Sequence, residues 1–485
     1  MVVFLSGAVV MVLELTGSRV LAPYIGTSIF VWTSLIGTIL ASLSLGYWWG
    51  GRKADNSATE KKLSGILFLS SLLVLLTALV AEPLLMSFAS VFSDIRISAL
   101  VFTILLFAPA SILLGMVSPY AVKLKMNTLK TSGRTVGNLY ALSTVGSIVG
   151  TYLAGYVLFA YLSTIVILYL LAGVLLISSF LANVTLFSFA SRIGKFFLII
   201  IVSWLFAPLN TSQNGIDIDT LYNRVRIVQS IDSVSGKRVK ELLINEERSS
   251  AQFVDSDELV YSYTKFYRLA SHFNPTIKKA LMIGAGAYSY PKDFLKQFPL
   301  SDMDVVEIDP GVTTIAQTYF GLQNDSRLNI FHEDARTFIN RGGKTYDAIF
   351  GDAFRSYTVP FQLTTREAVS KLYSMLNDGG VVLINLVSSL SGPKSKFLQA
   401  EYLTYASIFP QVYIFPVTDY NDSTLWQNVI LVGLKSSASV QFTSNNPELQ
   451  SYLSHVLKFF IPDGVPVLRD TFAPVEFYIS VYNAS

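Results

Sequence analysis

The sequence reads Leu281-Met-Ile-Gly284-Ala-Gly286-Ala287 and, after a helix-length segment, Val305-Val-Glu307-Ile-Asp-Pro310. An apolar strand, a glycine turn, a helix and a second apolar strand that ends on a carboxylate are typical of nucleotide-binding βαβ units. Glycine lets the backbone approach a ligand that a Cβ atom would keep away. Glu307 follows the turn by about 20 residues, where a carboxylate can accept hydrogen bonds from two ribose hydroxyls. The segment therefore predicts a nucleoside site.

Further apolar strands are predicted downstream, at 303–308, 328–331, 346–351 and 380–386, and they alternate with helical stretches. This alternation predicts a Rossmann-like, doubly wound and mostly parallel sheet. Ligands of such sheets bind beyond the carboxyl ends of the strands. Those ends carry Gly284, Glu307, Asp334 and Asp352. Upstream, alternating apolar and polar residues at 222–229 and 239–244 predict a β-hairpin subdomain.

Each of these residues has a simpler interpretation. The glycine turn alone is weak evidence, because Ser289 occupies the third glycine position of the fingerprint. Asp334 and Asp352 each precede a helical segment, where a carboxylate serves as a helix cap. The combination at matching strand ends favours the nucleoside site.

Composition separates the chain into two parts. Of its 485 residues, 52% are hydrophobic and only 14% are charged, whereas charged residues make up about a quarter of a soluble protein. The apolar excess lies in the first 208 residues, so this part is predicted to lie in lipid. The protein is expected to be a multi-pass protein of the cell membrane, with the lipid bilayer as a partner.

Seven apolar stretches have about the 20 residues needed to cross a bilayer. They lie at about 2–23, 29–49, 64–84, 97–119, 137–160, 162–183 and 187–208. In the seventh, Arg192 and Lys195 would have to reach the interface. Gly46, Gly50, Gly146 and Gly150 have the spacing that permits close helix packing.

Two ionisable residues, Glu14 and Arg19, fall in the first span. Charged groups at that depth are unfavourable unless they are paired or face a polar cavity. A structural pair or an interfacial placement accounts for these residues as well as a transport site does.

Lys and Arg concentrate in the connections 51–62, 120–136 and 184–195, which the positive-inside rule places in the cytoplasm. Seven full spans would then put the C-terminal part outside, whereas an interfacial seventh helix would put it in the cytosol. Glycosylation-type sequons at Asn210, Asn324, Asn421 and Asn483 lean weakly toward the outside. The sequence leaves both topologies open.

Charge and residue types exclude several kinds of site. The net charge of +3 forms no basic stripe, so nucleic acid is not expected as a partner. The chain has no cysteine, which excludes disulfides and thiolate chemistry. Its three histidines have no metal-binding spacing, and no metal site is predicted.

Six motifs of the second part of the chain carry a further signal. They are Tyr222-Asn-Arg-Val-Arg226, the glycine turn, the Glu307 strand end, His332-Glu-Asp334-Ala-Arg336, Tyr346-Asp-Ala-Ile-Phe-Gly-Asp352-Ala-Phe354 and Val359-Pro-Phe-Gln-Leu-Thr-Thr-Arg-Glu367. Together they resemble one known family, the spermidine synthases, which are polyamine aminopropyltransferases. The resemblance covers about 216–435. Upstream, Glu14-Leu-Thr-Gly-Ser-Arg19 and Leu45-Gly-Tyr-Trp-Trp-Gly-Gly-Arg52 resemble the multi-span module fused to many bacterial members.

The resemblance implies transfer of an aminopropyl group from decarboxylated S-adenosylmethionine to an amine, with release of methylthioadenosine. It implies no permanently bound cofactor, because the nucleoside is a co-substrate, and a homodimer is compatible with it. Asp352 is then the catalytic base, and Glu307 holds the ribose beside the turn of Gly284 and Gly286. Asp334 and the Ala335 amide read the adenine, while Tyr261 and Gln252 belong to the substrate pocket.

Three positions depart from the family pattern. Ala287 replaces an acid that grips the aminopropyl chain, Arg355 replaces a second Asp beside the acceptor amine, and Tyr263 replaces a glutamate near Tyr261. Losing these acids leaves a dicationic acceptor with fewer paired charges. A methyltransferase, and a transporter or sensor with a degenerate catalytic domain, are the alternatives.

The predicted organisation follows from these observations. Residues 1–208 form the multi-span domain, 209–219 a linker, 220–256 the β-hairpin subdomain, 257–440 the Rossmann-like transferase domain and 441–485 a C-terminal extension.

Overall fold

A computed structural model describes residues 1–88, 94–126, 132–183, 190–198, 215–354, 359–457, 460 and 462–480. The chain divides into two compact units, Met1–Asn214 and Gly215–Ser485.

The first unit consists of long apolar helices. They are α1 (Val2–Ile25), α2 (Ile29–Ser57), α3 (Glu60–Phe88), α4 (Ile95–Lys125), α5 (Ser132–Leu153), which continues through a π-helical turn (Ala154–Leu158) and Phe159–Tyr161, and α6 (Thr164–Ala182). In the described part of the chain, six helical segments are long and apolar enough to cross a membrane. They correspond to the first six predicted spans. Of the seventh, residues 190–198 are helical and 199–208 lie outside the described residues.

Glycines bring two pairs of these helices into close contact. A Cβ atom on Gly46 of α2 would overlap the carbonyl oxygen of Ile112 in α4 and would lie 2.9 Å from the Gly115 Cα. A Cβ atom on Gly150 of α5 would lie 2.8 Å from the Cα of Ala8 in α1. Backbone packing of this kind is a main source of helix association in lipid, where the hydrophobic effect is absent.

Arg19 stacks on an aromatic ring within the first unit. Its guanidinium carbon lies 4.4 Å from the centroid of the Phe159 ring. A cation over an aromatic face is stabilised by the ring quadrupole. This contact gives Arg19 a structural role, and the transport interpretation of Glu14 stays a prediction.

The second unit begins with an antiparallel sheet of four strands in the order β1-β2-β3-β4. The strands are β1 (Gly215–Asp219), β2 (Arg224–Ile231), β3 (Arg238–Ile244) and β4 (Glu247–Phe253). The predicted hairpin corresponds to β2 and β3. Residues 215–219, expected to belong to the linker, instead pair with β2 as strand β1. The β3–β4 register shifts between Leu242 and Leu243, so that Ser249 has no opposite residue.

The second sheet has seven strands in the order β10-β11-β9-β8-β5-β6-β7. They are β5 (Lys279–Ile283), β6 (Asp302–Val306), β7 (Leu328–Phe331), β8 (Tyr346–Gly351), β9 (Leu376–Ser388), β10 (Gln411–Pro416) and β11 (Gln427–Leu434). Strands β5 to β9 pair in parallel, whereas β10 and β11 are antiparallel. The predicted Rossmann-like sheet is confirmed, with β5 and β8 adjacent at its centre.

Helices connect these strands. They are α7 (Ser262–Phe266), α8 (Ala270–Phe273), α9 (Ser289–Gln297), α10 (Pro310–Tyr319), α11 (Ala335–Arg341), α12 (Arg366–Met375), α13 (Lys396–Ala406), α14 (Pro447–Leu453) and α15 (Val475–Ser480). The helix expected over 257–272 begins only at Ser262 and contains a 3-10 turn.

Apolar side chains cover both faces of the sheet, as expected for buried parallel strands. In β5, Leu281 and Ile283 belong to one apolar cluster, and Ala280 and Met282 to another. The central strands are therefore fixed from both sides, which gives their carboxyl ends a rigid base.

Candidate active site

The glycine turn follows β5 and needs its two glycines for different reasons. Gly284 has φ 77° and Gly286 has φ 50°, which side chains rarely adopt. A Cβ atom on Gly284 would lie 2.9 Å from the carbonyl oxygen of Asp352. A Cβ atom on Gly286 would overlap the Oγ of Ser250 in β4. The turn is thus held between the end of β8 and the antiparallel sheet.

Glu307 lies directly after β6 and is only 8% exposed. Its Oε2 accepts a hydrogen bond of 3.1 Å from the backbone N–H of Ala285, and its Oε1 accepts one of 3.1 Å from that of Asp309. The carboxylate therefore connects the glycine turn to the start of α10.

Asp334 is the N-cap of α11, and Ala335 is the first residue of that helix. Asp334 Oδ1 accepts hydrogen bonds from the backbone N–H and the hydroxyl of Thr337, at 2.9 and 3.3 Å. Asp334 therefore does cap α11, as considered from the sequence. The cap uses one of its two carboxylate oxygens, Oδ1.

Asp352 follows β8 and is half-buried. Its Oδ1 accepts a hydrogen bond of 3.0 Å from the Asn385 amide, and its Oδ2 accepts one of 3.0 Å from the Tyr263 hydroxyl. Burial raises the pKa of Asp352 to about 6, although these hydrogen bonds act in the opposite direction. A carboxylate with a pKa near neutral is suited to accept a proton. The helix-cap interpretation of Asp352 concerns residues 355–358, which lie outside the described ranges.

The two predicted substrate residues differ in placement. The ring of Tyr261 stacks on that of Tyr263 with 6.1 Å between centroids, and its buried hydroxyl has no hydrogen-bond partner among the described residues. Burial raises the pKa of Tyr261. The Gln252 amide instead contacts Asp257 at 3.0 Å and Lys292 at 3.4 Å.

Most of these residues line one cavity of about 630 Å³. Its lining includes the predicted residues Gly284, Gly286, Glu307, Asp334, Ala335, Asp352 and Tyr261. Gln252 is not among the described residues that line it. Within the described ranges, no cluster of three His, Asp or Glu side chains has the geometry of a metal site.

Comparison with known proteins shows which family this part of the chain is similar to. Residues 266–425 match the family model of the spermine/spermidine synthase domain. This matched segment lies within the second unit. The resemblance predicted from the sequence is confirmed for this segment.

Two curated relatives match the synthase domain over part of their length. A polyamine aminopropyltransferase of Vibrio vulnificus is 35% identical over 162 residues, which are 33% of this chain and 52% of that protein. A probable polyamine aminopropyl transferase of Bifidobacterium longum is 30% identical over 130 residues, or 27% and 28% of the two chains. The chain thus spans about half the length of the first relative and less of the second.

A solved structure of a probable spermidine synthase from Corynebacterium glutamicum is also similar. It is 19% identical, with a TM-score of 0.44, over 53% of this chain and 97% of that one.

Several residues of the cavity were not found from the sequence. Asn385, Asn428 and Trp426 also line the cavity. Asn385 stands alone among apolar neighbours in β9, and this isolated amide is the signal that would have identified it.

The positions that depart from the family pattern have different surroundings. Ala287 is fully buried in an apolar cluster with Val225 and Leu242 of the antiparallel sheet. Tyr263 contacts Asp352. Arg355 lies outside the described residues.

Proposed function

We propose that the second unit transfers an aminopropyl group from decarboxylated S-adenosylmethionine to an amine and releases methylthioadenosine. The observation that carries this proposal is the convergence of Glu307, Asp334 and Asp352 on one cavity. The match to the spermine/spermidine synthase domain and the names of the curated relatives support it.

In the proposed reaction, Asp352 accepts a proton from the amine, whose lone pair is then free to attack. The new C–N bond forms as the C–S bond breaks, and the electron pair of that bond stays on sulfur, which becomes a neutral thioether. With a pKa of about 6, Asp352 is largely ionised at neutral pH and ready to take the proton.

The nucleoside contacts are part of the same proposal. Glu307 faces the ribose, and Asp334 with the Ala335 amide faces the adenine. Because Asp334 Oδ1 already caps α11, Oδ2 is the oxygen we assign to the adenine amino group. Tyr261 also lines the cavity, and we assign it to the amine acceptor. Gln252 is not among the described lining residues and has no substrate contact in our scheme.

The direct test uses the purified full-length chain with decarboxylated S-adenosylmethionine and a panel of mono-, di- and triamines. We expect methylthioadenosine release with at least one amine, and a loss of about a thousandfold in Asp352→Asn, because general-base catalysis contributes about 10²–10⁴. Asp378→Asn is the matched control, since the Asp378 side chain is fully exposed. Absence of both product and nucleoside binding would refute the proposal.

The methyltransferase alternative is separated by its donor. Calorimetric titration with decarboxylated S-adenosylmethionine and with S-adenosylmethionine compares the two directly. Preference for the carboxylated donor, with transfer of a methyl group, would replace our assignment. Neither this alternative nor the transporter alternative gains support from the family match.

We further propose that residues 1–208 anchor the protein in the membrane. Six described helices have the required length and apolar composition. The protein should stay in the membrane fraction after extraction at alkaline pH, and its release would contradict the anchor. A homodimer stays a prediction, which sedimentation of the solubilised protein checks.

Membrane topology can be tested with single cysteines, because the chain contains none. Asn56→Cys lies in a connection predicted to be cytoplasmic, so an impermeant maleimide should label it only in inside-out vesicles. Val234→Cys, at a position 94% exposed in the second unit, reports the side on which that unit lies. Its labelling distinguishes a crossing seventh helix from an interfacial one.

A further inference from the structure

The two oxygens of Asp352 have hydrogen-bond partners of different kinds. Oδ1 is 3.0 Å from the Nδ2 of Asn385, and Oδ2 is 3.0 Å from the hydroxyl of Tyr263. An amide NH₂ group can only donate a hydrogen bond, whereas a phenol hydroxyl can donate or accept. Tyr267 also faces Asp352, but its hydroxyl donates a hydrogen bond of 3.1 Å to the Gly351 carbonyl oxygen. The two oxygens are therefore not equivalent as sites for a proton.

A second amide fixes the orientation of Asn385. Asn428 Nδ2 donates a hydrogen bond of 3.0 Å to Asn385 Oδ1. If the Asn385 amide turned over, its NH₂ group would face that of Asn428, donor to donor. Asn385 thus keeps its NH₂ group toward Asp352 Oδ1 unless both amides turn together, and a proton on that oxygen would weaken its role as an acceptor. Oδ2 is the better site for the proton.

Tyr263 has a second acceptor within reach. Its hydroxyl oxygen lies 3.3 Å from the backbone carbonyl oxygen of Ser249. Ser249 is the residue skipped by the β3–β4 register. A bulge of this kind re-aims backbone groups out of the regular ladder, and bulges are common beside active sites.

We propose that Asp352 takes the substrate proton on Oδ2 and that Tyr263 is its positioning residue, serving both protonation states. When Asp352 is ionised, Tyr263 donates to Oδ2. When Oδ2 carries the proton, Asp352 donates to the Tyr263 oxygen, and the Tyr263 hydroxyl turns to donate to the Ser249 carbonyl. Only rotation of the Tyr263 hydroxyl about its C–O bond is needed. The proton taken from the amine stays on Asp352. This proposal rests on the proposed function.

The arrangement keeps the Asp352 carboxyl and the Tyr263 hydroxyl hydrogen-bonded to each other before and after proton transfer. A buried polar group that lost its partner during the reaction would oppose that step. The bond to the ionised carboxylate is charge-assisted and hence the stronger of the two. Removal of the Tyr263 hydroxyl should therefore favour the protonated carboxyl.

The test measures where Asp352 titrates in the full-length protein. The pH dependence of kcat/KM for methylthioadenosine release is recorded for wild type, Tyr263→Phe and Asn428→Ala. A second readout is the infrared carbonyl stretch of the protonated Asp352 carboxyl, identified by its loss in Asp352→Asn. Tyr413→Phe is the matched control, because the Tyr413 hydroxyl also donates one hydrogen bond, of 2.7 Å to Gln411, elsewhere in the domain.

In Tyr263→Phe we expect two midpoints to rise together by about one pH unit: that of the acid limb of the kcat/KM profile and that of the infrared titration of Asp352. The reason is that a hydrogen bond to a charged group is lost. Asn428→Ala should also move both upward, because Asn385 can then turn its oxygen toward a protonated Asp352. In Tyr413→Phe, Asp352 should titrate at the same pH as in the wild type. Nucleoside affinity should not change in Tyr413→Phe, because Tyr413 is not among the described residues that line the cavity.

An unchanged titration in Tyr263→Phe would overturn the proposal. If that variant does not fold, an unchanged titration in Asn428→Ala overturns it instead. The infrared titration needs no turnover, so it tests the Tyr263–Asp352 pair even if no methylthioadenosine forms with wild type. Failure of the proposed function and failure of this inference are thereby distinguished.

Discussion

Glu307 Oε2 accepts a hydrogen bond from the backbone N–H of Ala285, between the two glycines of the turn. The residue assigned to ribose therefore also stabilises the turn that the nucleoside approaches. Binding and local structure are coupled through one carboxylate, which leads to the first prediction.

Glu307→Gln should weaken nucleoside binding by about tenfold and destabilise the second unit by about 1 kcal/mol. Glu307 accepts from two backbone N–H groups, of Ala285 and Asp309. A glutamine has one acceptor oxygen, so one of these N–H groups would face an NH₂ group. Calorimetric titration with methylthioadenosine measures the affinity. Glu258→Gln, at an exposed side chain, is the control; wild-type affinity in Glu307→Gln would contradict the coupling.

Gly286→Ala should destabilise the second unit more than Gly321→Ala does. Both glycines have positive φ, 50° and 66°, so both variants carry a backbone cost of about 1–2 kcal/mol. Only at Gly286 would the new Cβ atom meet Ser250, because a Cβ atom on Gly321 meets nothing within 4 Å. The difference between the thermal unfolding midpoints of the two variants measures the effect of the contact with Ser250. Equal losses would show that the turn is not confined by β4.

Glu401→Gln should remove a pH dependence of stability. Glu401 of α13 is 0% exposed, and its carboxylate oxygens have no hydrogen-bond partner among the described residues. Burial raises the pKa of Glu401 well above its ordinary value of 4.5. A raised pKa gives stability that is complete below the unfolded-state pKa and is lost as pH rises through the folded-state pKa.

The stability gained by Glu401→Gln over wild type should therefore grow as pH rises from about 4.5. Unfolding midpoints between about pH 5 and pH 8 measure it, and Glu258→Gln should follow wild type. A constant offset between Glu401→Gln and wild type would exclude a buried, protonated Glu401.

Gly46→Val should lower the thermal stability of the first unit, whereas Gly37→Val should not. Both glycines lie in α2, but a Cβ atom on Gly46 would overlap α4 and one on Gly37 would meet nothing within 4 Å. Thermal denaturation in detergent compares the two variants. Similar midpoints would mean that the α2–α4 contact does not limit stability.

Local sequence signals predicted the parallel part of the second unit well. Apolar runs that end on Gly284, Glu307 and Asp352 gave strands β5, β6 and β8 and the sheet edge where they meet. Strand β1 was not predicted, because Gly215–Asp219 is short and polar and acquires its strand only by pairing with β2.

The partners of Asp352 could not be predicted for a related reason. Tyr263, Asn385 and Asn428 come from three distant segments, and only the tertiary fold brings them together. The substrate role of Gln252 stays a prediction; its side chain binds Asp257 and Lys292, and it is not among the described residues that line the cavity. Contacts of this kind leave no periodic pattern in the sequence.

The packing of Ala287 limits how this protein could evolve or be redesigned. An acid restored at that position would place a carboxylate among Val225, Leu242 and other aliphatic side chains, where an unpaired charge is strongly unfavourable. An acid introduced at position 287 alone is therefore expected to destabilise the second unit, because the antiparallel sheet would have to be repacked at the same time. The residue at this position in the glycine turn and the packing of the antiparallel sheet can change only together.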